Sequence, residues 1–166
     1  MIRALGDEDI DAYIALRQRA LREHPLAFSS SADTDFVSTP DSLRPQLARA
    51  PDWMIFGAFE SDTFAGAVGI YRGRHAKTAH RMQLWGMYVA PEHRGRGLGA
   101  QLLDAAIAHA RARGDVAWID LGVTTAAGAA RRLYERAGFI TWGTQHDVLR
   151  CEGHVADEHH MALRIR

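Results

Sequence analysis

The chain of 166 residues contains one cysteine and five prolines. With Cys151 as its single thiol no internal disulfide can form, which excludes the cross-linked frameworks of small secreted domains and fits a reducing compartment. No apolar run approaches the roughly 20 residues of a membrane-spanning helix. Its opening, Met1-Ile2-Arg3-Ala4-Leu5-Gly6-Asp7, turns acidic before any apolar segment of the export type. A soluble cytoplasmic protein without a membrane partner is the expectation. Neither charge is in excess, because 20 Lys plus Arg balance 20 Asp plus Glu, so no global field draws the chain to nucleic acid. Repeats, low-complexity tracts and Gly/Ser linkers are also absent, and one domain over residues 1–166 is the simplest organisation. What is present is 47% apolar residues, enough for a buried core and too many for a disordered chain.

Patterning along the chain alternates between the strand and helix periods. Residues 1–5 suit a short strand, and Asp7 offers an N-cap to a helix carrying Ile10, Tyr13, Ile14, Ala20 and Leu21 on one side. Thr39-Pro40-Asp41 has the chemistry of a second helix start, with the helix reaching about Ala50 before Pro51. Apolar stretches at 53–59 and 64–71 flank Glu60-Ser61-Asp62-Thr63 as in a hairpin, and another strand is expected at 82–89. Leu98, Leu102, Ala106 and Ala110 recur at helical spacing, with Gly114 as the C-cap glycine. A strand at 117–123, a helix at 126–137 and strands near 140–144 and 160–165 complete the series. The order β-α-α-β-β-β-α-β-α-β-β predicts a mixed α/β fold (α+β), a central sheet of about seven strands with helices on its faces.

The densest chemical signal is Pro91-Glu92-His93-Arg94-Gly95-Arg96-Gly97-Leu98-Gly99-Ala100, where a strand gives way to a helix. The first turn of a helix has unpartnered backbone N–H groups and a partial positive charge, and glycines let a phosphate approach the main chain. Arg94 and Arg96 add charge-assisted donors. Together these features predict a cradle for a pyrophosphate. Gly95, Gly97 and Ala100 also satisfy the G-x-G-x-x-G/A pattern of dinucleotide-binding folds, which makes an NAD-linked oxidoreductase the alternative. Against it, residues 90–94 intervene between strand and first glycine, and antiparallel hairpin material precedes the crossover.

Read as Arg94-x-x-Gly97-x-Gly99, the same segment resembles the R/Q-x-x-G-x-G/A signature of the GCN5-related N-acetyltransferase (GNAT) family. Ala130-Arg131-Arg132-Leu133-Tyr134-Glu135-Arg136-Ala137-Gly138-Phe139 resembles that family's A-x-x-L-Y-E-x-x-G-F segment, in the expected order. The resemblance implies a mostly antiparallel sheet in which the strand at 82–89 and its parallel neighbour at 117–123 splay apart to admit the pantetheine arm of acetyl-coenzyme A. Gly86 suits a bulge there. Main-chain groups of Met87, Tyr88 and Val89 are implied to meet the pantetheine, and Arg94, Gly95, Arg96, Gly97, Leu98, Gly99 and Ala100 to hold the pyrophosphate. Tyr134 matches the family tyrosine near the cofactor sulfur and is the expected general acid, with a backbone N–H near Met87 as oxyanion donor.

Two departures from the family pattern stand out. The strand position where many members place a glutamate reads Gln83-Leu84-Trp85-Gly86, so the candidate bases move to its ends, His80 on one side and Glu92 or His93 on the other. Ala127 stands where an asparagine is frequent, which passes that contact to Thr124 or Thr125. The acceptor, a small-molecule or peptide amine, is expected among the loops 28–36, 72–80 and 145–157. Phe28, Tyr71 and Trp85, with Phe36, would form an apolar wall, and Asp33, Asp35, Asp147 or Glu152 would draw the ammonium. A catalytically silent acyl-coenzyme A sensor is the further alternative raised by the missing strand glutamate. Cys151, His154, His159 and His160 lack a metal-ligand spacing, so no metal is expected; an exposed edge strand leaves a homodimer open.

Overall fold

The computed structural model describes residues 1–61 and 63–166, and the change of hydrophobic period along the chain decides its elements. Strand β1 (Ile2–Ala4) leads into helix α1 (Ile10–Glu23) and the shorter α2 (Pro40–Leu47). Three strands follow: β2 (Trp53–Glu60), β3 (Thr63–Arg72) and β4 (Arg81–Val89). Helix α3 (Leu98–Ala112), strand β5 (Trp118–Thr124), helix α4 (Gly128–Arg136) and the strands β6 (Ile140–Cys151) and β7 (His154–Arg164) complete the order read from the sequence. Asp62, part of the expected hairpin turn, lies outside the described residues.

Three boundaries differ from expectation, each for a local reason. Asp7 does not cap α1: residues Asp7–Asp9 form a single 3-10 turn, and Asp9 takes the Gly6 amide at 2.9 Å and both Arg3 Nη atoms. Helix α2 stops at Leu47, with turn hydrogen bonds carrying the chain to Ala50. Its start is as anticipated, with Thr39 Oγ1 accepting from Ser42 N and Ser42 Oγ accepting from Thr39 N. The largest difference is the last hairpin. Residues 145–157, expected as a loop, are mostly paired strand, reversed at Glu152-Gly153, which both take positive φ as a tight two-residue hairpin turn requires.

Seven strands form one sheet in the order β1-β2-β3-β4-β5-β7-β6. Every neighbouring pair is antiparallel except β4 and β5. One face carries α3, whose Leu102, Leu103, Ala106 and Ala110 pack on Val68, Ile70, Met82 and Ile119. The other carries α1 and α2, where Ile10, Tyr13, Leu16 and Leu43 cover Trp53, Ile55 and Ala67. Gly114 and Gly138 follow α3 and α4 with positive φ, the C-terminal glycines anticipated.

The parallel pair is short. Only Arg81–Gln83 of β4 meets Trp118–Asp120 of β5, and beyond Gln83 the two strands are unpaired. On its other side β4 stays paired to β3, where Trp85 opposes Gly69 and Tyr88 opposes Ala67, so β4 carries one residue more than β3 across this interval. That extra residue is a bulge at Gly86, whose φ of +65° lies in the left-handed region open to glycine. The bulge turns β4 away from β5, and the gap opens between the strands where the family resemblance implied it.

Ion pairs fasten the periphery. Arg72, at the end of β3, grips Asp115 through two hydrogen bonds of 2.8 and 2.7 Å, which holds that carboxyl down at about 2. Arg19 of α1 binds Glu92 in the same manner at 2.6 and 2.9 Å and also lowers it to about 2. Both carboxyls bind a proton more weakly in the fold than in the unfolded chain. Their contribution is therefore complete above about pH 5 and is lost as the pH falls toward about 2. The thermal midpoint is expected to drop across that window, with Asp115→Asn flattening part of the drop; an unchanged acid profile in that variant would show that the pair contributes nothing.

Candidate active site

The gap between β4 and β5 joins two chambers. The first, about 530 Å³, runs from Met87 and Val89 past the 94–100 loop to the start of α4. Ala90 N–H donates to Ala65 O of β3, so by strand alternation the main-chain groups of Val89 and Met87 face the gap. The loop itself is built by backbone. Gly95 and Gly97 have φ of +77° and +78°, and a Cβ on Gly95 would point into open space. Gly97 is the N-cap of α3, and the first amide to find a helical acceptor is that of Gln101, on Gly97 O at 3.1 Å. The amides of Leu98, Gly99 and Ala100 therefore lack helical partners at the chamber wall. Free amides, positive-φ glycines and the helix dipole fit a pyrophosphate.

The two arginines of this loop are occupied elsewhere. Arg94 Nε donates to Val89 O at 2.9 Å and its guanidinium lies over the Tyr88 ring, while Arg96 Nη1 donates to Glu60 Oε2 at 2.9 Å. Arg94 still lines the chamber while Arg96 does not, and the main-chain amides are the donors left without protein partners there. Tyr88 is also set aside in part: its hydroxyl donates to Glu23 Oε2 at 2.6 Å, and burial raises it to about 12. Thr124 does not line the chamber. Its Oγ1 is buried without a hydrogen-bond partner, behind a wall supplied by Ala126, Ala127 and Ala130. Ala127 thus leaves an apolar surface at the position where the amide was missed.

A second chamber, about 610 Å³, opens on the α1 and α2 face. Phe28, Tyr71 and Trp85 come together there as expected, and Phe36 packs against Trp85 at 5.4 Å between ring centres. Between the chambers lies a small cavity of about 80 Å³ bounded by Phe28, Gly86, Met87, Gly122 and Tyr134. Tyr134 of α4 is 5% exposed, meets Phe139 edge-on at 5.8 Å and also borders this cavity. Burial alone pushes its phenol above the ordinary value.

The candidate bases fare differently. His80 is exposed at the zipped end of the β4–β5 pair, where its carbonyl accepts from Ala117 and Trp118 N–H, so it stands away from the gap. Glu92 is held ionised by Arg19, which makes it a poor proton acceptor, and it lines neither chamber. His93 Nδ1 is paired to Glu60 Oε2 at 2.7 Å. Among the acidic residues expected to draw an ammonium, Asp35 is buried against Arg17, and Asp33, Asp147 and Glu152 do not line the second chamber.

The carboxylate that does line it is Glu158 of β7, lying against Gly122, where a Cβ would sit 2.5 Å from its carboxyl carbon. Sequence reasoning missed it by starting the last strand at His160; alternation carried back through Ala156 would have placed it. Arg17 was missed too, although position 17 falls on the apolar face of α1 beside Tyr13, Ala20 and Leu21.

Sheet order, splayed pair and glycine loop agree with the fold that the sequence resemblance implied. The profile of the acetyltransferase (GNAT) family matches residues 14–139, and the chain belongs to that family. A mycothiol acetyltransferase of Nocardiopsis dassonvillei is 31% identical over 142 residues, 82% of this chain and 41% of its own length. The chain therefore spans less than half of that relative. A GNAT-family acetyltransferase structure from Streptococcus pneumoniae aligns with a TM-score of 0.87 at 26% identity, covering 100% of this chain and 99% of the other. A Salmonella typhimurium protein solved with its cofactor acetyl-CoA shares the fold, with a TM-score of 0.87 at 21% identity over 100% of this chain and 94% of that one. The NAD alternative is overturned by the topology, which has a single parallel pair where a dinucleotide fold needs a parallel sheet.

Gly97→Val combines a left-handed φ with bulk beside the free amides. Coenzyme A affinity, measured by titration calorimetry, is expected to fall at least about tenfold, since a left-handed β-branched residue alone costs roughly 1–2 kcal/mol. Unchanged affinity would remove the loop from the binding site.

Proposed function

We propose that the chain is an acetyl-coenzyme A-dependent N-acetyltransferase that acetylates the primary amine of a small molecule by direct attack in a ternary complex. The observation that carries this reading is the meeting of two chambers from opposite sides of the splayed β4–β5 pair at a cavity bounded by Gly86, Met87 and Tyr134. Coenzyme A would occupy the chamber of the glycine loop, and the acceptor the chamber under α1. The size of the second chamber favours a small molecule over a folded protein substrate.

Bound there, acetyl-coenzyme A supplies an activated acetyl thioester. An alkyl ammonium must lose a proton before it can attack, and Glu158 is the carboxylate positioned to attract it and receive that proton directly or through water. The Met87 amide, facing the gap, donates to the acyl oxygen as it gains negative charge. Tyr134 donates its phenolic proton to the departing thiolate; burial keeps the phenol protonated until that charge develops beside it. No step passes through a protein acyl intermediate, and Cys151, beside the β6–β7 turn, lines neither chamber.

Tyr134→Phe preserves the ring against Phe139 and removes the proton donor. It is expected to lower kcat by about 10²–10⁴ while coenzyme A affinity moves little. Thiol release with an amine library reads the first quantity and calorimetry the second. Equal turnover in the variant would end the acid role, and tight coenzyme A binding without turnover on any amine would favour the silent sensor. Glu92→Gln should leave the acidic limb of the pH–rate profile in place, since that carboxyl is already ionised throughout the working range. A displaced limb would return the base role to Glu92.

A further inference from the structure

The acceptor chamber contains an unfilled hydrogen-bonding demand. Arg17, 6% exposed, spends Nε and Nη2 on Asp35 at 3.1 and 3.0 Å. Its Nη1 has no partner among the described residues, nor has the indole Nε1 of Trp85. Both side chains line the chamber, and the Arg17 guanidinium carbon lies 5.6 Å from the Trp85 ring centre. Asp35 already balances the charge of Arg17, so what is missing is an acceptor. A buried donor left without an acceptor loses the hydrogen bond it had with water and is destabilising. Both orphans are donors, and the group that would satisfy them must offer oxygen lone pairs.

The surrounding charge has a direction. Arg49 and Arg74 line the same chamber, and the Arg49 hydrogen bond goes to neutral Gln46. Arg72 spends both Nη atoms on Asp115, and its Nε, 3.4 Å from Asp52 but without a hydrogen bond among the described residues, is a third buried donor on this wall. The carboxylate on the opposite lip is Glu158, lying against Gly122 of β5, whereas Arg17 Nη1 is 3.6 Å from where a Cβ on Gly86 of β4 would sit. The positive pole, carried by α1 against β4, and the negative pole, carried by β7 against β5, therefore lie on the two sides of one gap.

Resting on the acetyltransferase reading, we propose that the acceptor is a compact α-amino acid. Its carboxylate would receive hydrogen bonds from Arg17 Nη1 and Trp85 Nε1, and its amino group would face Glu158 at the gap. Because the donors lie against Gly86 and the carboxylate against Gly122, on either side of the same gap, a ligand carrying both a carboxylate and an amine would meet both, and the remaining volume, walled by Phe28, Trp53 and Tyr71, receives the side chain.

The test compares leucine, methionine and phenylalanine with the amines formed by removing their carboxylates, using titration calorimetry on the full chain. At least one amino acid is expected to bind about tenfold or more tightly than its decarboxylated partner, the effect of one charge-assisted hydrogen bond of about 1.4 kcal/mol. Trp85→Phe, which keeps the ring and deletes the N–H, should narrow that ratio severalfold. So should Arg17→Gln combined with Asp35→Asn, which avoids leaving a buried charge alone. Equal binding within every pair, no binding by any amino acid, or a ratio unmoved in both variants overturns the proposal. Thiol release with the same compounds separates the two readings: a carboxylate preference without release would sink acetyl transfer and keep the site, and release favouring the decarboxylated amines would do the reverse.

Discussion

The left-handed Gly86 governs the architecture of the site. An ordinary residue there would favour regular strand geometry, and hydrogen bonding between β4 and β5 could continue past Gln83. With the bulge in place, β4 remains fixed to β3 while its other edge beyond Gln83 is left without strand partners, Val89 O being met by the Arg94 side chain. Backbone groups that would be costly if buried unpaired become a binding edge instead. The gap, the amides of Met87 and Val89, and the meeting of the two chambers all follow from that one inserted residue.

Around this opening the charges are mostly spoken for. Arg72, Arg81, Arg94 and Arg96 are bound to protein acceptors, and the glycine loop acts through its main chain. This division has a physical logic. Main-chain donors fixed by a helix start lose little entropy on binding, whereas long arginine side chains would have to be ordered. The exceptions are the buried Arg17, held by Asp35 in a single orientation and still short of one acceptor, and the Nε of Arg72.

Much of this was readable from residue order. Helix and strand periods, the glycines after α3 and α4, and the strand–loop–helix context of residues 91–100 carry their information locally, and the structure agrees with each. Gly86 was legible as a bulge or a close-packing position beside Trp85; the structure makes it the bulge and gives the packing role to Gly69, which lies under the Trp85 ring. The failures share a cause. His80 and Glu92 were considered for their titration chemistry, but whether a strand end lies at the open or the zipped side depends on pairing that only the fold sets. Glu158 sits in a run rich in charge, His154-Val155-Ala156-Asp157-Glu158-His159-His160, which looks like loop until its partner β6 is present. Arg17 and Asp35 are 18 positions apart, and their pairing within the α1 face is a tertiary fact.

Ala27 and Phe28 border both chambers and the small cavity between them. A ligand on either side therefore presses on the same short stretch of chain, which Asp35 anchors through Arg17 a few residues later. A ligand that displaced that shared partition would alter the other compartment as well, and thermodynamic reciprocity would then make the influence equal in both directions. Order of addition and mutual tightening of the two reactants would then be properties of one segment of backbone, separate from the chemistry performed across it.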